Sequence, residues 1–314
     1  MKTGPWRLIF LGTPPFAVPS LQALLGAGEE VVAVITQPDR GRGRGRKVTP
    51  SPVKELALEH GLPVLQPVRL KDPEFLARLK DLAPELMVAT AYGRILTHEM
   101  LAIPGVGVLN VHASLLPRYR GAAPVNWSLI RGDKETGVTI MWMAYELDTG
   151  PIFLQKPVPI LPEDNAGTLA ARLAEEGGAL LVEALERLRR GEGLKIDQPE
   201  TGVTYAPPIS AEMRLIRWEQ AAPEVAGWIR GLDPRPGAYT FWQKKRLGLY
   251  GGRVEKPTGG TSAPGTVLGL AEGRLLVACG LGTVSLQELQ LSGHKRLPAS
   301  AFLRGQNLLG QVLG

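Results

Sequence analysis

Cysteine is nearly absent, with Cys279 the only one in 314 residues. A single thiol excludes disulfides within the chain and any multi-cysteine metal cluster. Histidine is scarce as well, four in all, and none falls in an HExxH arrangement, so no resident metal is expected. The first turn, Gly12-Thr-Pro-Pro15, lacks the GxGxxG fingerprint, which removes the main support for dinucleotide binding. Long apolar runs are missing too. Arg7-Leu-Ile-Phe-Leu11 is too short for a signal peptide or a membrane span, so a cytoplasmic protein without membrane contact is expected. No internal repeat is visible.

What remains is an ordinary core-forming composition, 44% hydrophobic and 21% charged, at a length that predicts two domains. The net charge of +6 and the pI near 9.5 point to an anionic partner, either nucleic acid or a phosphorylated small molecule.

The chain opens as a βαβ unit. Leu8–Leu11 and Val31–Ile35 read as buried strands around a helix from Phe16 to Leu25 that stops at Gly26 and Gly28. A parallel sheet follows from that order. Next comes Thr36-Gln-Pro-Asp39 and an Arg/Gly alternation containing Arg40, Arg42, Arg44, Arg46 and Lys47. Such a stretch cannot bury a core and is expected to be a mobile, positive loop. At the carboxyl end of a parallel strand it is favoured as a phosphate-contacting loop over a plain solvated charge run.

Further elements are expected at 52–60 (helix), 63–65 (strand), 73–82 (helix), 86–90 (strand), 98–102 (helix) and 106–111 (strand). After the basic stretch 118–120 come a helix at 122–130, strands at 138–143 and 152–160, and a long helix at 168–190. Residues 191–210 lack periodicity and are read as a linker, giving domains at 1–190 and 211–314. Beyond a helix at 222–232, short β-like runs separated by glycine turns predict a small barrel. Its Lys244, Lys245 and Arg246, with Tyr239, Trp242 and Tyr250 interleaved, fit a nucleic-acid platform or ordinary surface charge beside core aromatics.

Chemistry concentrates around 107–121. Asn110 and His112 are two apart on a strand and therefore share a face at its carboxyl end. Alone, such a pair reads as a structural strand end. With Asp148 from the neighbouring strand-turn, an imidazole, a carboxylate and a neutral amide donor come together. No Ser or Cys is placed as a nucleophile, so the set suits direct acyl transfer between two bound substrates better than a covalent acyl-enzyme.

Asn110-Val-His112-Ala-Ser-Leu-Leu-Pro117, Arg120-Gly121-Ala-Ala-Pro124, Thr136-Gly-Val-Thr-Ile140 and Asp148-Thr-Gly150 together resemble the signature of the folate-dependent formyltransferases. The opening Phe10-Leu-Gly-Thr-Pro14, the stretch from Thr36-Gln-Pro-Asp39 to Pro50-Ser-Pro-Val-Lys54, and Gly231-Leu-Asp-Pro-Arg-Pro-Gly237 are similar to the branch that acts on methionyl-tRNA. One departure is Pro15, where the pattern has an acidic residue. The resemblance implies a Rossmann-like, mostly parallel α/β domain followed by a small OB-like β-barrel. It implies transfer of the formyl group of 10-formyltetrahydrofolate to the α-amino group of methionyl initiator tRNA. The alternative acceptor is a nucleotide or sugar-nucleotide amine. By the same resemblance Asn110 and His112 polarise the formyl oxygen. Asp148 holds His112 charged and, through a water, helps remove the amine proton. Ser114, Leu115, Leu116, Pro117, Tyr92, Gly93 and Arg94 line the folate site. The 40–47 loop and Lys244, Lys245 and Arg246 grip tRNA. The expected protein is a monomer without metal.

Overall fold

The computed structural model describes residues 2–42, 47–256, 258 and 262–314, with the side chains of residues 40, 42 and 47 left out. The chain runs β1 (Arg7–Gly12), α1 (Val18–Gly26), β2 (Glu30–Ile35), β3 (Arg40–Arg42), β4 (Lys47–Thr49), α2 (Pro52–Glu59), β5 (Val64–Leu65), α3 (Pro73–Asp81) and β6 (Leu86–Thr90). It continues through α4 (His98–Leu101), β7 (Gly107–His112), β8 (Arg120–Gly121), α5 (Pro124–Ile130), β9 (Glu135–Trp142), β10 (Ile152–Pro159), α6 (Ala166–Arg189) and β11 (Tyr205–Ala206).

Two compact units form, and neither follows a single cut in the chain. The first holds 1–122, 136–158 and 170–206; the second holds 123–135, 159–169 and 207–314. The linker expected at 191–210 is therefore part of the first unit as far as Ala206.

In the first unit seven strands form one sheet in the order β10-β9-β7-β6-β1-β2-β5. β1, β2, β5, β6 and β7 pair in parallel, and β9 joins β7 antiparallel. The apolar strand runs follow from burial on both faces: β6 is buried at every position, and β1 at all but Arg7. Each fully buried Leu, such as Leu8, Leu11 or Leu86, contributes about 2 kcal/mol. Helix starts obey local chemistry. Ser51 accepts from Lys54 N–H at 3.2 Å, and Asp72 accepts from Glu74 N–H at 3.0 Å. Gly177 allows α6 its close approach to the sheet, because a Cβ there would lie 2.8 Å from Val111 Cγ1. The order places the sheet's switch point between β1 and β6, with the ends of β6 and β7 side by side.

The arms of the basic loop are not structureless. β3 and β4 pair as an antiparallel ribbon with Gly41 opposite Val48. A polar knot braces the root. Lys54 Nζ donates to Asp39 Oδ2 (2.5 Å) and Gln66 Oε1 (2.7 Å), while Gln66 Nε2 donates to Asp39 Oδ1 (2.9 Å) and Gln37 O (2.9 Å). Arg44 and Arg46 lie outside the described residues.

The second unit adds α7 (Ala222–Leu232), β12 (Ala238–Trp242), β13 (Lys245–Tyr250), β14 (Arg253–Lys256), β15 (Val267–Ala271), β16 (Arg274–Ala278), β17 (Thr283–Leu286), β18 (Glu288–Leu291), β19 (Leu297–Pro298) and α8 (Ala299–Gly305). The strands form two four-stranded antiparallel sheets, β12-β13-β18-β19 and β14-β17-β16-β15. Ile229, Leu249, Val277 and Leu286 are wholly buried in their common core. The helix at 124–130 belongs here rather than with the parallel sheet, because Asn126 Nδ2 donates to Gly231 O at 2.7 Å and Trp127 meets Trp228 edge-on at 5.8 Å. Within 231–237, Asp233 is buried; it accepts from Gly251 N–H at 2.9 Å and from Arg296 Nη1 at 3.2 Å.

Candidate active site at the end of β7

β7 delivers Asn110 and His112 as the period of 2 requires, with Asn110 opposite Ala89 of β6 and His112 opposite Thr139 of β9. His112 is only 6% exposed. Its Nε2 lies 3.0 Å from Tyr119 O. A carbonyl oxygen only accepts, so Nε2 carries a proton and the ring presents Nδ1 as its variable nitrogen. Nδ1 faces Asp148 Oδ2 at 3.7 Å, an ion-pair separation when the ring is charged rather than a hydrogen bond. Asn110 is half-buried, and among the described residues its side-chain amide makes no hydrogen bond.

Asp148 sits in the turn after β9 with φ +53, a left-handed conformation that Asp tolerates better than most residues. Its Oδ2 accepts from Gly121 N–H at 2.7 Å, so the carboxylate is aimed by a backbone donor as well as by the imidazole. Tyr119, also left-handed at φ +63, is buried beneath the site, and its N–H donates to Thr204 Oγ1 at 2.8 Å.

The segment after His112 is held by Thr139. Its hydroxyl donates to Ser114 O (2.6 Å) and accepts from Leu116 N–H (3.2 Å) and Gln155 Nε2 (2.9 Å), the full capacity of one hydroxyl. Ser114 is buried with its own hydroxyl donated to Arg118 O at 2.6 Å. Leu116 packs with Met141 and Ile152, while Leu115 and Pro117 are half-buried. Tyr92 is buried at the end of β6, and burial pushes its phenol above the usual range while Arg94 acts the other way. Arg94 spends its guanidinium on Pro67 O (3.0 Å) and Val68 O (3.1 Å), and Gly93 takes φ +77 in the same turn. His112 and Asp148 thus meet at the end of β7, with Asn110 on the same face of that strand, and Ser114–Pro117 is the chain that continues from it.

The basic residues expected to touch tRNA fall elsewhere. Lys244 occupies a left-handed turn position, φ +62, between β12 and β13, and Lys244, Lys245 and Arg246 are exposed. Of the interleaved aromatics, Trp242 is core, whereas Tyr239 carries Arg246 at 3.9 Å and Tyr250 carries Arg296 at 3.8 Å over their rings. The lone thiol is buried and pushed up to about 11, mainly by desolvation, which makes Cys279 an inert group.

Sequence reasoning missed the groups that aim the site. Tyr119 O and Gly121 N–H are backbone atoms with no side-chain signal. Gln198 belongs to a stretch without periodicity, yet it touches the Asp148 turn: Nε2 donates to Asp148 O and Gly150 O, each at 2.8 Å. Thr139 falls within the Thr136–Ile140 motif without a role of its own there; its place opposite His112 comes from the pairing of β7 with β9.

Comparison with known proteins gives a consistent picture. The formyl transferase family model matches residues 6–185, and the formyl transferase C-terminal domain matches residues 208–307. The methionyl-tRNA formyltransferase of Moorella thermoacetica is 50% identical over 309 residues, covering 98% of this chain and 99% of its own. That of Pelotomaculum thermopropionicum is 48% identical over 310 residues, 98% of each chain. Among solved structures, HypX from Aquifex aeolicus in complex with tetrahydrofolic acid shares the fold, with a TM-score of 0.67, 20% identity, and coverage of 96% of this chain and 48% of that one.

Proposed function

The chain belongs to the formyl transferase family, among the methionyl-tRNA formyltransferases, and from that premise we propose how its residues carry out the reaction. The protein transfers the formyl group of formyl-tetrahydrofolate to the amino group of methionine carried on tRNA. Near full-length kinship favours this acceptor over a nucleotide or sugar-nucleotide amine, which needs neither a basic loop nor a basic second domain.

The observation that carries the assignment is the His112 ring, fixed at Nε2 by Tyr119 O so that Nδ1 looks toward Asp148 and the face shared with Asn110. The neutral α-amine attacks the formyl carbon. A C–N bond forms, and the carbonyl oxygen gains negative charge. Asn110 Nδ2–H and protonated His112 donate to that oxygen, stabilisation worth about 10²–10³-fold per donor in such sites. As the intermediate collapses, the bond to N10 of the folate breaks. The proton lost by the amine passes through water beside Asp148 and replaces the bond at N10. Asp148 Oδ2 is engaged by Gly121 N–H, which leaves Oδ1 to receive it. Tetrahydrofolate and formylmethionyl-tRNA leave. In this reading the 86–94 segment, with Tyr92, Gly93 and Arg94 after β6, and the Ser114–Pro117 chain line the folate cleft. The reading also includes 10-formyltetrahydrofolate as donor, initiator tRNA as acceptor, no metal, and a cytoplasmic monomer.

The deciding assay offers 10-formyltetrahydrofolate with charged initiator tRNA and, separately, charged elongator methionine tRNA. Formylmethionine on the initiator, formed much faster than on the elongator, is expected. Transfer to a nucleotide-sugar amine with none to either tRNA would overturn the reading.

The 40–47 loop and Lys244, Lys245 and Arg246 are assigned to tRNA phosphates. Arg42→Ala is expected to raise KM for charged tRNA several-fold more than KM for folate, and to reduce the slope of log affinity against log salt by about one unit per lost contact. Unchanged tRNA kinetics would return the loop to a plain solvated charge run.

A further inference from the structure

Residues 191–206 connect α6 to the rest of the chain, and from 191 to 200 every residue is exposed except Gln198. This strap is stitched to the first unit along its length. Ile196 exchanges backbone hydrogen bonds with Ile152, at 2.7 and 2.9 Å. Trp142 Nε1 donates to Leu194 O at 3.1 Å, with Lys195 over the Trp142 ring at 4.7 Å. β11 pairs with β8 in parallel.

Two side chains of the strap reach the groups that aim the reacting residues. Gln198 Oε1 accepts from Arg120 Nε (3.0 Å) and Nη2 (2.8 Å), and its Nε2 donates to Asp148 O and Gly150 O (2.8 Å each). It thereby ties the Asp148 turn to β8, whose Gly121 N–H holds the Asp148 carboxylate. Thr204 Oγ1 accepts the N–H of Tyr119, the residue whose carbonyl fixes the His112 ring; Thr204 N–H donates to Pro117 O at 3.3 Å. Asp148 at φ +53 and Tyr119 at φ +63 are both held in left-handed conformations, so each needs outside contacts to persist.

We infer that the strap is a positioning element of the transfer centre: Gln198 sets the Asp148 carboxylate and Thr204 sets the His112 imidazole, although neither touches the reacting atoms. The inference rests on the assignment of His112 and Asp148 above.

The test is a kinetic cycle on the full-length protein with charged initiator tRNA and 10-formyltetrahydrofolate. Gln198→Ala is expected to lower kcat about 10–100-fold, the cost of roughly ångström misplacement, with KM for both substrates within about twofold. Gln198→Glu keeps the acceptor for Arg120 but loses the donors to Asp148 O and Gly150 O, and should match Gln198→Ala. In an Asp148→Asn background, Gln198→Ala should cost less than about threefold more, because both changes remove one effect. Independently, Thr204→Val should lower kcat about tenfold, whereas Thr204→Ser, which keeps the acceptor, should restore it. Additive losses in the cycle, or loss that follows melting temperature alone, overturn the inference and leave a merely structural strap. Asp148→Asn at full rate would instead sink the assignment of Asp148 itself. A slow Asp148→Asn beside an unimpaired Gln198→Ala would sink only the positioning role.

Discussion

Replacing His112 by alanine is expected to lower kcat of formyl transfer about a thousandfold while leaving the Kd for charged tRNA within about twofold. The magnitude is that of losing one positioned donor to the developing oxyanion, within the range of about 10²–10⁴ for positioned donors and acids. A thousandfold loss corresponds to about 4 kcal/mol of transition-state stabilisation. Binding should survive because His112 is 6% exposed at the carboxyl end of β7, whereas the residues proposed to meet tRNA phosphates belong to the 40–47 stretch and to Lys244, Lys245 and Arg246. The substitution also strips Tyr119 O of its donor, so the melting temperature should be followed in parallel. Single-turnover rates with enzyme in excess, with tRNA affinity measured by filter binding, decide the matter. A variant still within tenfold of the wild-type rate would remove His112 from the chemistry.

How much of the fold and of the site is legible in the sequence depends on the range of the interaction. The parallel sheet was legible because each strand is a short apolar run buried on both faces, and a βαβ order admits few topologies. Asn110 and His112 were legible as partners because a strand's period of 2 needs no tertiary information. Asp148 was harder, since nothing in its local sequence says that a left-handed turn after β9 returns it to β7. It was grouped with Asn110 and His112 only as a residue of a neighbouring strand-turn, a placement that the extended resemblance then strengthened. Tyr119 O and Gly121 N–H were invisible, as any sequence offers those backbone atoms at every position. β8 and β11 are two residues each, too short for any periodic signal, so the strap that they anchor read as linker. The helix at 124–130 read as continuous with the sheet because its partner α7 lies about a hundred residues on. The aromatics of the second unit were ambiguous for a similar reason. Whether Trp242 fills a core or presents a face depends on Phe302, which lies edge-on to it at 6.4 Å and is distant in sequence.

The Asp148 turn also carries the second large prediction. A Cβ placed on Gly150 would lie 1.9 Å from Trp142 O and 3.1 Å from Ala144 N, so the turn closes directly onto the backbone at the end of β9. Both neighbours are main chain at the end of a strand buried from Thr136 onward, and neither can rotate away. An added methyl must therefore be accommodated by lifting the turn by more than an ångström. Asp148 is two residues away and depends on that closure. Its carbonyl and that of Gly150 share the single amide of Gln198, and its carboxylate meets Gly121 N–H at 2.7 Å. Gly150→Ala is thus expected to reduce kcat about a hundredfold, the cost of displacing a reacting group by roughly an ångström. KM for folate and tRNA should change far less. The turn links β9 to β10, the strand at the sheet's margin, and the parallel strands β1, β2, β5, β6 and β7 lie outside it, so the fold should persist, with a fall in melting temperature of only a few degrees. Steady-state kinetics beside a thermal melt separate the two effects. A Gly150→Ala enzyme with kcat within threefold of wild type would mean that the turn shifts without taking Asp148 with it. The requirement for glycine in Asp148-Thr-Gly150 would then belong to folding, not to the position of the carboxylate.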